Sequence, residues 1–266
     1  MKTMLNKLAG ALRFLVVEPF DFIALRLGGK EFIKTLIYAG LIAVGIRTFA
    51  YEPFNIPSGS MRPTLLVGDY LFVSKFAYGY SRYSFPWGFP PFDGRVFSSP
   101  VERGDVAVFA KPGDEGTDYI KRIVGVPGDR IQMVDGVFYL NGEAVLRERV
   151  EDFKYVDLDS NHLRVPQYRE TLPGGTSYMT LDAIQDGLAD NTRVFLVPKG
   201  YYFAMGDNRD NSLDSRISRG IGFVPEKNLV GRAEVLFFSV DGGTRFWQIW
   251  KWPTTMRYSR FFDPLR

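Results

Sequence analysis

The apolar positions of the chain follow two patterns that change over near residue 54. Between Thr35 and Ile46 the run TLIYAGLIAVGI carries no charge. Twelve residues rise only about 18 Å as a helix, against a hydrocarbon core of about 30 Å, so this run alone is too short to cross a bilayer. Extended over 32–51 it has two charges, Lys34 and Arg47, both toward the ends where long side chains reach the headgroups. The pattern predicts one transmembrane helix over 32–51, with a buried core helix as the alternative. A cleaved signal peptide fits less well, because the run begins late and no small-residue cleavage pattern closes it. Upstream, in segment 1–31, Met4, Leu5, Leu8, Ala11, Leu12, Leu15 and Val16 recur near helical spacing with Lys7 and Arg13 between them. That spacing suits an amphipathic helix lying on a membrane surface or one packed on protein.

From Phe54 onward short β-rich runs replace the helical pattern: DYLFVSKFAYG, GDVAVFA, YIKRIVGV, DRIQMVDGVFYLNGE, YYFAMGD and AEVLFFSV, punctuated by Gly, Pro and Asp. Such spacing predicts a mostly β domain over 52–266 with closed or stacked sheets, a barrel or a sandwich. Asp135-Gly136 and Asn141-Gly142 mark tight hairpin turns. Residues 131–196 are the most polar and irregular, which predicts a β-rich insertion capping the β core. No internal repeat or low-complexity tract is present.

Charge sets the direction of the span. Lys2, Lys7, Arg13, Arg26 and Lys30 precede it and Lys34 lies at its start, whereas Arg47 at its end and Arg62 are the basic residues in the next stretch of similar reach. The N-terminus is therefore expected in the cytoplasm and the β domain outside it. A formal net charge of +3 over 266 residues, without a long Lys/Arg run, argues against nucleic acid. The absence of cysteine removes disulfides, thiolate metal sites and cysteine nucleophiles. His162 is the single histidine, so a serine nucleophile must use it or a base of another kind. Trp247, Trp250 and Trp252 crowd beside Arg245, Lys251, Arg257 and Arg260, while Trp87 sits in the proline-rich loop FPWGFPPF. These rings either meet headgroups, with the cations on lipid phosphates, or fill the core.

Three stretches are dense in chemistry. In NIPSGSMRPTL, residues 55–65, Pro57 and Pro63 stiffen a turn in which Ser58 and Ser60 flank Gly59, so that a hydroxyl can be held exposed and aimed. In GDNRDNSLDSR, residues 206–216, a calcium loop begun at Asp210 would place Ser215 where Gly is needed and Ile221 where a bidentate Glu is needed, so calcium is rejected. In DYIKRIVGVPGDR, Lys121 falls in an expected strand among apolar neighbours. Burial would lower its pKa, and Arg122, if close, would act in the same direction. Half-neutrality at pH 7 requires a fall from about 10.4, which costs roughly 4.6 kcal/mol and lies within the range of buried lysines. Composition does not choose between Lys121 and Lys75 as such a base.

Taken in chain order, an apolar anchor, PSGSMRPTL, RGDVAVF, DYIKRIVGVPGD and GDNRDNSLDSR closely resemble the type I signal peptidases, the leader peptidases of bacterial membranes. The resemblance runs from about residue 54 to 235, and the sequence departs from the pattern mainly by extra residues after Arg216. It implies Ser60 as nucleophile and Lys121 as general base, with no catalytic role for His162. It further implies that Ser212 orients the lysine, that Asp214 and Arg216 brace the site, and that the Ser60 N–H and the Ser58 hydroxyl form the oxyanion hole. Phe54, Ile56, Pro57, Met61, Leu65, Leu71, Val108, Asp118, Tyr119 and Ile120 match the positions lining two shallow pockets for the small residues, typically Ala-x-Ala, before the cut. The implied substrate is the signal peptide of a secreted preprotein, cut through an acyl-enzyme without metal or organic cofactor. The implied setting is the cytoplasmic (inner) membrane, single-pass, facing the periplasmic side, among lipids and near the secretion translocon. A membrane-tethered β module that binds envelope partners without cutting them is the alternative from another class. A dyad peptidase with one dedicated substrate is the alternative within the same class.

Overall fold

The computed structural model describes residues 29–88, 91–156, 162–217, 220–241, 243–244 and 247–265. The expected N-terminal amphipathic segment, Arg245 and the side chains of Trp87 and His162 lie outside the described residues. The chain divides into two units, residues 1–47 and 48–266.

Helix α1, Gly29–Phe49, has 21 residues and none of them is buried. At 1.5 Å per residue it is about 32 Å long, enough to cross a hydrocarbon core. It is the one helix among the described residues with the length and hydropathy of a membrane span. It begins and ends earlier than the 32–51 expected from composition. The sheet claims the chain past Phe49: the Lys75 N–H donates to the Ala50 carbonyl at 3.0 Å, and Tyr51–Asn55 already pairs as a strand.

The second unit is mostly β. Strands β1 (Tyr51–Asn55), β2 (Asp69–Ser74), β3 (Val106–Lys111) and β4 (Asp114–Gly125) belong to one sheet. Nine short strands follow: β5 (Arg130–Val134), β6 (Val137–Leu140), β7 (Glu143–Ala144), β8 (Leu146–Arg149), β9 (Phe153–Val156), β10 (His162–Val165), β11 (Gln167–Thr171), β12 (Ser177–Leu181) and β13 (Phe195–Leu196). The chain then returns to the first sheet with β14 (Tyr201–Met205), β15 (Val224–Pro225) and β16 (Leu229–Ser239). The large sheet has the order β1-β2-β16-β3-β4-β14-β15, antiparallel at each junction. Pairing ends at β1 and β15 rather than closing into the ring that a barrel requires. Burial explains the order. In β3 five successive residues, Val106 to Ala110, are buried, as a central strand covered on both faces demands. In β2 buried and half-buried positions alternate at first, as on a strand with one open face. Gly231 permits β16 to approach β2, because a Cβ there would lie 2.4 Å from the Ser74 carbonyl oxygen.

β4 and β14 are neighbours in the sheet, yet 75 residues, 126–200, separate them in sequence. These residues form three smaller sheets, β10-β9, β12-β11-β8 and β13-β5-β6-β7. Their hairpins turn at Asp135-Gly136 (φ 48° and 72°) and Asn141-Gly142 (φ 57° and 91°), left-handed conformations that suit Gly and Asn. Ile131, Met133, Phe138, Leu140, Val145, Leu172 and Val197 form a core of their own with Phe203 and Met205 of β14. At the C-terminal end Trp252 packs on Phe238 with ring centroids 4.9 Å apart, while Trp247 and Trp250 are exposed. Arg257 and Arg260, expected near lipid phosphates, instead turn onto the buried Asp69, Arg260 at 2.7 Å. An ion pair to a buried carboxylate outweighs one to a distant headgroup.

A buried ionic layer joins the insertion to the large sheet. Arg122 of β4 forms a bidentate pair with Asp207 (2.9 and 2.7 Å) and stacks on the Tyr178 ring of β12 at 4.2 Å. Arg209 pairs with Glu170 of β11 at 2.5 Å, and the Tyr178 hydroxyl donates to the same carboxylate at 3.1 Å. Nε and Nη1 of Arg209 have no hydrogen-bond partner among the described residues, so its charge rests on the Nη2 contact with Glu170. Glu170→Gln is therefore expected to strand a buried guanidinium and to destabilise the unit by about 3–5 kcal/mol, read as a fall in the urea midpoint at unchanged slope.

Candidate active site

The serine turn leaves β1 and is held at both ends. The Ile56 N–H donates to the Asp69 carbonyl at 2.9 Å and the Leu65 N–H to the Met61 carbonyl at 2.9 Å. Met61 and Leu65 are buried with Leu71, Val73 and Val108, so they root the turn in the core. From the other side Asn208 grips the turn twice. Its N–H donates to the Ser60 carbonyl at 3.1 Å and its Nδ2 to the Gly59 carbonyl at 3.0 Å. Ser58 Oγ lies 3.4 Å from Ser60 Oγ.

Lys121 comes to this turn from β4, 61 positions later in the chain. Arg122 pairs with Met205 of β14, and Gly206 then turns away. Lys121 is thus the first residue of β4 beyond the part covered by β14. Into that gap the serine turn fits, with Lys121 Nζ 2.6 Å from Ser60 Oγ and 3.0 Å from the Ile120 carbonyl. Both residues are buried, Lys121 with 3% and Ser60 with 8% of its surface exposed. Burial lowers the lysine pKa to about 8, although the charges of Asp214 and Asp207 pull it back up. Arg122 does not contribute to that fall as expected. It alternates to the other face of β4, where Asp207 neutralises it. Lys75, the alternative base, is taken up by Glu52 at 2.8 Å and the Ser84 carbonyl at 2.5 Å.

Beneath the pair, Asp214 and Arg216 form a buried bidentate bridge with contacts of 3.0 and 2.8 Å. Burial alone would raise the Asp214 pKa, but the Arg216 guanidinium and the N–H groups of Gly206 and Arg216 outweigh it and keep the carboxyl below its usual range. Arg216 also donates to the Arg209 carbonyl at 2.7 Å, fixing the loop that carries Asn208. Ser212, expected to bond Lys121, makes no hydrogen bond among the described residues, and its buried Oγ faces Gly206. Gly206 has no room for a side chain: a Cβ would lie 2.2 Å from Ser212 Oγ and 2.5 Å from the Ser60 carbonyl oxygen.

Ser60 and Lys121 open into a cleft of about 830 Å³. One wall carries Phe54, Ile56, Pro57, Ser58, Val108, Asp118, Tyr119 and Ile120, all named from the sequence. Met61, Leu65 and Leu71 do not line the cleft. They lie beneath it, in the core cluster on which Phe54 and Ile120 pack. Burial, then the nearby Glu52 charge, raises the Asp118 pKa. The other wall, of which the sequence reading named only Ser212, comes from Ile184 and residues 186–189 of the insertion and from Arg209 to Leu213 and Ile217. Asn208, Asp207 and Gly206 were also missed, and Arg122 was named only for an effect on Lys121 that it does not have, not for its pair with Asp207. Three of them stand inside the quoted GDNRDNSLDSR motif, but only their partners across the fold reveal what they hold. Nothing local marks residues 184–189. The carboxylates of Asp182, Asp190 and Asp210 come within 4.8 Å of one another. Arg147 pairs with the first, the Gly187 N–H donates to the second, and the Ala183 and Ile184 N–H groups donate to the third, so the cluster serves the wall.

Comparison with known proteins agrees with this geometry. The family model for signal peptidase, peptidase S26, matches residues 29–238. Signal peptidase I of Rickettsia typhi is 38% identical over 89% of this chain and 94% of its own, and that of Rickettsia prowazekii 39% identical over the same shares. Signal peptidase I of Rickettsia akari is 43% identical over 74% of this chain and 75% of its own. A crystal structure of a signal peptidase I from Enterococcus faecalis V583 covers 50% of this chain and 97% of its own with a TM-score of 0.29 and 24% identity, too distant to add to these matches. A membrane-anchor helix, a buried serine–lysine contact at the head of an apolar cleft, and full-length relatives together lead to one conclusion: the chain belongs to the signal peptidase family, peptidase S26, and is a serine endopeptidase.

Proposed function

We propose that the chain removes signal peptides from secreted preproteins, using Ser60 as nucleophile and Lys121 as general base. The observation that carries this reading is the 2.6 Å contact of Lys121 Nζ with Ser60 Oγ in a buried setting that brings the lysine pKa to about 8. With that value roughly a tenth of the lysine is neutral at pH 7 and half at pH 8. Neutral Lys121 takes the Ser60 proton as Oγ attacks the scissile carbonyl, then delivers it to the leaving amine. A water attacks the acyl-enzyme with Lys121 again as base. The Ser60 N–H and the Ser58 hydroxyl serve the oxyanion, and losing one such donor costs about 3–4 kcal/mol of transition-state stabilisation. Asp214 and Arg216 keep the floor of the site rigid, and the unpartnered Ser212 hydroxyl stands ready to steady the lysine as it changes protonation. No step calls for a metal or an organic cofactor.

The substrate chain binds along β4. Residues 118–121 of β4 pair with β3 on one edge, while on the other edge β14 begins only at Arg122. An extended peptide completes such an edge by backbone hydrogen bonds. Phe54, Ile56, Pro57, Val108, Asp118, Tyr119 and Ile120 bound two shallow pockets closed from below by Met61, Leu65 and Leu71, which suits Ala-x-Ala. Helix α1 anchors the enzyme in the bacterial inner membrane with its N-terminal side cytoplasmic and the catalytic unit periplasmic, near the translocon that delivers preproteins. Exposed Trp247, Ile249 and Trp250 offer a surface for the outer leaflet lipids.

Three substitutions test the reading, each assayed on a preprotein with the detergent-solubilised full chain. Ser60→Ala is expected to fold and to leave the preprotein uncut, and retained turnover would remove Ser60 as nucleophile. Lys121→Arg keeps the charge but cannot give up its proton, so turnover is expected to vanish, and near-wild-type turnover would remove Lys121 as base. Gly206→Ala pushes Ser60 from its partner and is expected to cost at least about 100-fold in kcat with the fold retained; an unchanged kcat would show that the close approach is immaterial.

A further inference from the structure

The proposed peptidase reading accounts for one wall of the cleft and, on the other, uses only Ser212. Among its polar residues that wall carries three large aliphatic side chains left exposed. Leu188 shows 89% of its surface, Leu213 61% and Ile184 57%. Large aliphatic side chains held this open normally mark a surface that another chain covers. The loop that carries two of them is also firmly built. Asp210 Oδ2 accepts the Ala183 and Ile184 N–H groups at 2.6 and 2.9 Å, and Asp190 Oδ2 accepts the Gly187 N–H at 2.7 Å. Gly187 lies so close to Asp210 that a Cβ would come within 3.0 Å of Oδ1. The insertion thus holds Ile184 and Leu188 out toward the cleft from a rigid base, with Leu213 beside Ser212 continuing the same wall.

The occupant follows from strand geometry. A peptide extended along the free edge of β4 sends successive side chains to opposite sides. On the reading above, the residue before the cut and the one two positions earlier enter the pockets rooted in the Ile56, Val108 and Ile120 cluster. The residue between them must then face away from those pockets, toward the second wall. We propose that Ile184, Leu188 and Leu213 receive the middle side chain of the Ala-x-Ala tripeptide and select large apolar residues there. The inference rests on the peptidase reading, and it gives the insertion a part in substrate choice: the small-residue pockets fix where the chain is cut, and the insertion wall sets how well it is bound.

The test uses the full chain in detergent micelles and two synthetic signal peptides, identical except for Leu or Ser between the two alanines. Wild type is expected to favour the Leu peptide about tenfold in kcat/KM, the range for a few methylenes against an open apolar wall. In Ile184→Ser with Leu188→Ser the ratio is expected to fall toward one, while Leu188→Met keeps it. Both changes lie at exposed positions, and circular dichroism checks that the sheets persist. A wild-type ratio near one, or an equal preference in wild type and the double variant, would overturn the proposal while leaving the peptidase reading intact. So would selectivity that appears only when the residue after the cut is varied in a second peptide pair. Failure of wild type to cut either peptide would overturn the peptidase reading and the proposal with it.

Discussion

Removing the Lys121 amine from water is the constraint around which the catalytic unit is arranged. In the proposed mechanism Lys121 must act as a base, and an exposed lysine is protonated at neutral pH, so something must make the ammonium costly. Here the cost is burial, and the fall from 10.5 to about 8 corresponds to about 3 kcal/mol. Two carboxylates, Asp214 and Asp207, work against the fall, and burial outweighs them. Each is paired with its own arginine, Asp214 with Arg216 and Asp207 with Arg122. The pairs hold the serine turn and the loop after β14 in place, Asp207 accepting from the Thr64 hydroxyl and Asp214 from the Gly206 N–H. Because the folded lysine has the lower pKa, its burial weakens the fold below about pH 8, and that penalty is relieved as pH rises toward 10.5.

The same layer explains how an insertion of 75 residues between two adjacent strands stays in register with the active site. Arg122 and Arg209 reach from the large sheet and the Asn208 loop to Tyr178 and Glu170 of the insertion. Asp210 reaches from that loop to residues 183 and 184. The stretch 206–216 therefore works in two directions, gripping the serine turn through Asn208 and Gly206 and gripping the insertion through Arg209 and Asp210. Its density in Asp, Asn and Arg reflects that double duty.

Local signals carried much of this into the sequence. The turn at Ser60 was legible because proline and glycine restrict the backbone whatever surrounds them, and the hairpins at Gly136 and Gly142 because their dihedrals are left-handed. The helix Gly29–Phe49 was legible from hydropathy, apart from its start at Gly29 and its C-terminal end, which the sheet sets. What stayed hidden depends on partners distant in the chain. Lys121 and Lys75 read alike, and only the pairing of β4 with β14 leaves one beside Ser60 while Glu52 takes the other. An open sheet and a barrel share the same strand pattern. Ile184 and Leu188 read as an ordinary polar turn with two apolar residues until the fold brings them to the cleft.

The central claim is that a buried, neutral Lys121 activates Ser60. It is tested most directly by the pH dependence of kcat/KM for a signal peptide whose own groups do not titrate, from pH 6 to 11, since that profile reports the pKa of the free enzyme's essential base. The account predicts tenfold gain per pH unit up to a bend near 8, the value that burial gives Lys121. A rise that continues to the ordinary lysine value near 10.4, or a profile flat across the range, would contradict it.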